Sequence, residues 1–142
     1  MKTSAKIKLA KFIFYILIFF GFKKKILARR KQISWDLDLS EGIDLSIFLF
    51  GTFQGEIVKS MTNYIFKENK KSFDIIDVGS NIGDKSLSLA NNLLKNKFNK
   101  FKIFSIEPTD YAYKKQIKNI FLNPILKKKI FSFKLFISNK KK

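Results

Sequence analysis

Phe73-Asp74-Ile75-Ile76-Asp77-Val78-Gly79-Ser80-Asn81-Ile82-Gly83-Asp84 decides the fold. Its first half is a short apolar run that reads as a β-strand entering a glycine. Its second half is a loop of small residues. From Ser86 to Lys97 the apolar positions Leu87, Leu89, Ala90, Leu93 and Leu94 take helical spacing. Lys102 to Ile106 reads as a second strand, ending at Glu107-Pro108. Thr109 or Asp110 can cap a helix that runs to about Leu122. Asn123-Pro124 stops that helix, because proline breaks the hydrogen-bond ladder. Ile130 to Ile137 reads as a third strand. Strand, helix, strand, helix, strand is one half of an open parallel sheet, and right-handed crossovers give the spatial order 3-2-1. Ligands of such sheets bind beyond the carboxyl ends of the strands, near the point where strand order reverses. The strand that starts at Phe73 stands beside that point.

Upstream, residues 54–69 read as a helix with Ile57, Val58, Met61, Tyr64 and Ile65 on one face. Residues 33–50 read as a β-hairpin. Trp35 to Leu39 and Ile43 to Leu49 alternate, and Ser40-Glu41-Gly42 forms the turn, with Gly42 free to take a positive φ. Residues 5–30 read as a helix with an unbroken apolar run from Phe12 to Phe22, bounded by Lys11 and by Lys23-Lys24-Lys25. Eleven residues rise only about 16 Å as a helix, roughly half a bilayer core. The run is too short for a comfortable span. The segment after it, Phe20-Gly21-Phe22-Lys23-Lys24, lacks the small residues of a secretory cleavage site. An interfacial helix with lysines at the headgroups is the leading reading. A helix packed on the domain or on a partner stands next to it. The organisation is thus an N-terminal helix (1–32), a hairpin-plus-helix lead-in (33–72) and a half-sheet (73–142).

The chain has 142 residues and a formal charge of +18, with no Cys and no His. Disulfides, thiolate zinc sites and cysteine nucleophiles are excluded, and no metal is expected. Without His, the usual general base is missing, so chemistry must rest on carboxylates, Lys, Tyr, Ser or a cofactor. The charge does not imply nucleic acid. Only Arg29 and Arg30 of the 29 basic residues are Arg, the type that reads phosphate and guanine bidentately. Residues 1–35 carry ten basic residues and no acid, residues 111–142 carry ten Lys and no acid, and residues 36–110 have a net charge of −2. The near-neutral centre contains the glycine loop.

That loop lacks the third glycine of the dinucleotide fingerprint and the Gly-Lys-Ser/Thr of a P-loop. A helix N-terminus behind Gly79 and Gly83 suits a small carboxylate better than a pyrophosphate. Glu107, at the end of the next strand, can accept two hydrogen bonds from ribose hydroxyls. Asp77 can hold an ammonium group directly or through water. A nucleoside with an amino-acid tail, S-adenosylmethionine, satisfies all three.

The blocks Asp77-Val-Gly-Ser-Asn-Ile-Gly-Asp84, Ile106-Glu107-Pro108, Asn119-Ile120-Phe121-Leu122-Asn123 and Ile137-Ser138-Asn139-Lys140 resemble the FkbM family of methyltransferases in order and spacing. The resemblance implies an α/β, Rossmann-like class I methyltransferase fold and S-adenosyl-L-methionine as cofactor. It implies O-methylation of a sugar or other hydroxylated small-molecule or glycan acceptor. It also implies that Asp77, Gly79, Asn81 and Gly83 line the methionine end, that Glu107 holds the ribose, and that Ser138 and Asn139 lie near the adenine. Many relatives have Glu where this chain has Gln54, and no role passes to the nearby Glu56. The resemblance covers residues 33–140, the front half of the domain. A chain that stops there is expected to be a truncated product or a fragment. A non-catalytic remnant and a basic membrane-surface or nucleic-acid-binding module are the alternatives. No catalytic base is nominated; Asp84 and Tyr111 are read as capping and packing residues. A cytoplasmic protein, with membrane contact through residues 5–30 left open, completes the expectation.

Overall fold

In the computed structural model, residues 3–139 are described, with side chains from Lys8 onward. Lys140, part of the last block above, lies outside them. The chain divides into two compact units, Met1–Phe53 and Gln54–Lys142.

The first unit contains helix α1 (Thr3–Phe19), strands β1 (Lys25–Arg30) and β2 (Ile33–Asp38), and helix α2 (Gly42–Phe50). The expected helix over 5–30 therefore ends early. Gly21 takes φ +84°. Phe22 N–H donates to the Leu17 carbonyl at 3.0 Å and Gly21 N–H to the Ile18 carbonyl at 2.9 Å. Those two bonds are a Schellman stop, which glycine supports because its left-handed conformation costs it nothing. Residues 25–30 then form a strand instead of continuing the helix.

The hairpin is also displaced. Its strands are β1 and β2, paired antiparallel from Lys25 opposite Asp38 to Arg30 opposite Ile33. Lys31 and Gln32 turn it, both at positive φ, the pairing that a two-residue turn needs to match strand twist. The expected second strand, 43–49, is instead α2. Alternation breaks at Ile47-Phe48-Leu49-Phe50, and the buried set Asp44, Leu45, Ile47 and Phe48 has helical spacing. Gly42 opens α2 and has no positive φ. Gly51 closes it at φ +79°. Asp44 is buried as an acceptor: its Oδ2 receives the Asp38 N–H at 2.5 Å. Arg30 Nε donates to the Phe48 carbonyl at 2.6 Å, with its guanidinium 4.5 Å above the Phe48 ring. Ile33, Trp35 and Leu37 point into this unit's core.

The second unit is an α/β half-sheet, a partial Rossmann-like fold. Helix α3 (Gly55–Lys67) leads into β3 (Phe73–Val78), α4 (Asp84–Lys95), β4 (Phe101–Ile106), α5 (Asp110–Phe121), a single turn α6 (Pro124–Lys127) and β5 (Ile130–Phe133). The strands run parallel in the order β3-β4-β5. Asn123-Pro124 ends α5 as expected, but Pro124 also starts α6 at a position that tolerates its missing N–H. The third strand is shorter than the expected 130–137. Its register ends with Phe133 opposite Ile106, and Glu107 N–H to the Phe133 carbonyl is the last rung at 3.0 Å. Pro108 has no N–H to add another.

Register sorts the sheet into rows. Ile75, Ile103 and Ile130 are neighbours and all buried. The next row, Ile76, Phe104 and Phe131, faces the other side, as does the row Val78, Ile106 and Phe133. On that second side Ile76 is 66% and Val78 61% exposed. Between these two lies a polar row, Asp77, Ser105 and Ser132, on the helix-covered side. Among the described residues β3 pairs with β4 alone.

Candidate functional site

The polar row lies beneath the glycine loop, and a chain of hydrogen bonds connects them. Ser86 Oγ, on α4, donates to Asp77 Oδ2 at 2.6 Å. Ser86 and Ser105 hydroxyls lie 2.9 Å apart. Each hydroxyl has one proton, and that of Ser86 goes to the carboxylate, so Ser105 is the donor to Ser86. Gln116 Nε2, fully buried on α5, then donates to Ser105 Oγ and to Ser80 Oγ, the latter at 2.8 Å. Asn119, also fully buried, donates through Nδ2 to the Ile82 carbonyl at 3.1 Å. Asn123 donates to the Asn119 carbonyl at 2.8 Å. Helix α5 thus clamps the loop at Ser80 and Ile82.

Three residues of the loop adopt left-handed backbone: Gly79 at φ +74°, Asn81 at +51° and Gly83 at +87°. At Gly83 a Cβ would approach Gln116 Cγ at 3.3 Å, so the clamp itself needs the glycine. At Gly79 a Cβ would meet nothing within 4 Å. The backbone is open to an incoming ligand there.

Glu107 ties the loop to α5. Its Oε2 accepts the Asn81 N–H at 2.9 Å, and its Oε1 accepts the Thr109 N–H at 3.0 Å and the Thr109 hydroxyl at 2.6 Å. Burial alone pushes this carboxyl's pKa up. The Thr109 hydroxyl and the two backbone amides outweigh it, and the group is held below the ordinary glutamate value. Thr109 stands at the N-cap of α5 but makes no side-chain cap; its hydroxyl serves Glu107 instead.

Of the residues expected at a cofactor site, the fold therefore brings Gly79, Asn81, Gly83 and Glu107 together at the carboxyl ends of β3 and β4. Asp77 is engaged with Ser86 and lines a cleft of about 210 Å³ with Ile57, Met61, Lys85 and Leu89. Ser138 and Asn139 are exposed, beyond the end of β5. Tyr111 is exposed in the first turn of α5, with the Lys115 ammonium 5.9 Å from its ring, and Asp84 is buried in the first turn of α4, one residue after the N-cap position Gly83. Sequence reasoning missed Ser86, Ser105 and Gln116. A serine in the middle of an apolar strand and a glutamine on an otherwise core-facing position were the available signals.

A carboxylate at the tip of one parallel strand is thus bonded to the glycine loop at the tip of the next. The chain shares its fold with TYW2. That structure, from P. horikoshii and solved in complex with MeSAdo, aligns with a TM-score of 0.51 at 18% identity, covering 90% of this chain and 47% of that one. A second structure, PH0793 from Pyrococcus horikoshii, described as a proposed transferase, aligns with a TM-score of 0.49 at 19% identity over 80% of this chain and 37% of that one. The chain spans less than half the length of either. No protein-family model and no curated protein matches the sequence.

Proposed function

We propose that this chain carries the cofactor-binding half of an S-adenosylmethionine-dependent methyltransferase of the FkbM type, acting on a hydroxyl of a sugar or similar acceptor. The observation that carries the reading is the Glu107–Asn81 bond beneath an open Gly79. One charged acceptor and a ligand-accessible backbone thereby meet at the mouth of a parallel half-sheet. The MeSAdo complex of TYW2 supports the same ligand class.

The residues fit such a ligand, with one restriction. A carboxylate has about four lone-pair positions, and Glu107 already uses three of them. It can take one ribose hydroxyl without rearrangement, and a second only if Asn81 N–H yields its place. Gly79 and Gly83 would admit the methionine end to the loop backbone, and the start of α4 offers N–H groups and a positive dipole to its carboxylate. S-adenosylmethionine supplies a sulfonium methyl that is electrophilic without help from the protein. The chain's own task is to bind and orient. Its hydroxyl and amide clamp, Ser80–Gln116 and Ile82–Asn119, keeps the loop in place for that. No residue of the chain is assigned to the acceptor or to a general base.

A second reading is favoured by the internal satisfaction of Glu107: a remnant in which the carboxylate is a structural tie and no nucleoside binds. Isothermal titration with S-adenosylmethionine separates the two. Saturable binding by the wild type, weakened at least tenfold in Gly79→Ala, supports the cofactor reading. Adding a methyl at Gly79 meets no protein atom and costs only the roughly 1–2 kcal/mol of a left-handed non-glycine residue, so the fold persists. No heat from folded wild type supports the remnant.

A further inference from the structure

Helix α1 has two apolar faces, and only one of them is covered. Ile13, Phe14 and Leu17 are half-buried, and α1 packs against α2. Elsewhere on the helix Leu9, Phe12, Tyr15, Ile16 and Phe19 form a continuous stripe at helical spacing, all exposed, with Phe12 at 62% and Phe19 at 85%. Phe20, in the turn that follows, extends it. A bare stripe of this size is unusual on a soluble surface and marks a place of docking.

The charges around the stripe define the occupant. Lys8 and Lys11 lie beside its start, and Lys23, Lys24 and Lys25 follow its end, all exposed. Residues 1–35 contain no acid. A second copy docked on this stripe would bring lysines against lysines. An anionic bilayer surface complements the basic rim and the apolar stripe together. Phe12, Phe19 and Phe20 supply the apolar face that an interfacial helix buries, and the amphipathic ring of Tyr15 suits the headgroup level. No helix among the described residues is long and apolar enough to span a membrane. The contact surface is also narrower than the segment 5–30 suggests, since residues 25–30 are committed to the hairpin.

We propose that α1 lies in the interface of an anionic phospholipid membrane, stripe down, with Lys8, Lys11, Lys23 and Lys24 at the headgroups. The proposal is independent of the cofactor reading. The test is co-sedimentation of the full chain with vesicles of phosphatidylcholine alone and with phosphatidylserine added to roughly a third of the lipid. Binding at least tenfold stronger to the anionic vesicles, and weakened at least tenfold by half-molar salt, is expected. The pair Phe12→Glu and Phe19→Glu should cut it at least tenfold, with the far-UV circular dichroism unchanged because both positions are exposed. Ile125→Glu, at an exposed apolar position on α6, should leave it intact. Failure to bind anionic vesicles, equal binding to neutral ones, or indifference to the Phe12 and Phe19 changes would overturn the proposal. So would self-association through these residues in place of vesicle binding.

Discussion

Replacing Glu107 by Gln tests the tie between the glycine loop and α5. The carboxylate now accepts three hydrogen bonds, from Asn81 N–H, Thr109 N–H and Thr109 Oγ–H. The amide of Gln has one oxygen and one NH₂. Its oxygen can stay on the Thr109 side and keep two of the three bonds. Its NH₂ must then face the Asn81 N–H, donor against donor. The variant thus loses one hydrogen bond to a charged group, which contributes about 1.5–3 kcal/mol. Taking about 2 kcal/mol, local opening at Asn81 becomes roughly thirtyfold easier. Amide hydrogen exchange followed by NMR reads that bond directly. The expected result is Asn81 N–H exchanging about thirtyfold faster in Glu107→Gln, with amides of Ile75 and Ile103 in the strands changed far less. Equal exchange at Asn81 in the two proteins would refute the tie. The same bond gives a pH dependence of definite sign. The folded pKa of Glu107 lies below its unfolded value. Its stabilisation is complete above that unfolded value and is lost as pH falls through the folded one. Acid unfolding of Glu107→Gln should lack that part of the wild-type slope.

Other substitutions probe the same framework. Asn119→Ala leaves the Ile82 carbonyl without its buried donor and should cost about 1–3 kcal/mol in urea unfolding. Ile103→Ala, at the centre of the buried isoleucine row, should cost about 2–5 kcal/mol in the same assay. Lys134 donates to and lies beside Asp110, and holds its carboxyl below the ordinary aspartate value. Lys134→Ala should raise the Asp110 pKa in an NMR titration, with little effect on the melt because the pair is exposed.

The half-sheet was legible because its residues announce their period. Apolar runs at 73–78 and 101–106, helical spacing at 84–95 and 110–121, and the breaks at Gly79 and Pro108 all point the same way. The N-terminal unit was less legible, since its signals conflict. Ile43-Asp44-Leu45-Ser46-Ile47 alternates like a strand, yet Asp44 is buried at the start of a helix, where the Asp38 amide needs an acceptor. No sequence period reveals a bond of that kind. Gly21 did carry a readable stop, but the apolar run on both sides of it masked the signal. At the site, Glu107 and the glycines stand out by type and position. Their supports are fainter: Ser105 and Gln116 show only as polar residues at core-facing positions, and Ser86 looks like an ordinary polar residue until the fold brings it to the others.

The central claim is that the loop Gly79–Gly83 and Glu107 form a nucleoside site. An NMR titration of the ¹⁵N-labelled chain with S-adenosylhomocysteine tests it most directly. Saturable shifts are expected in the amides of Gly79, Asn81, Gly83 and Glu107, with Gly79→Ala abolishing them at the same ligand concentration. Absence of saturable shifts at these four amides, in a sample whose strand amides report an intact sheet, would contradict it.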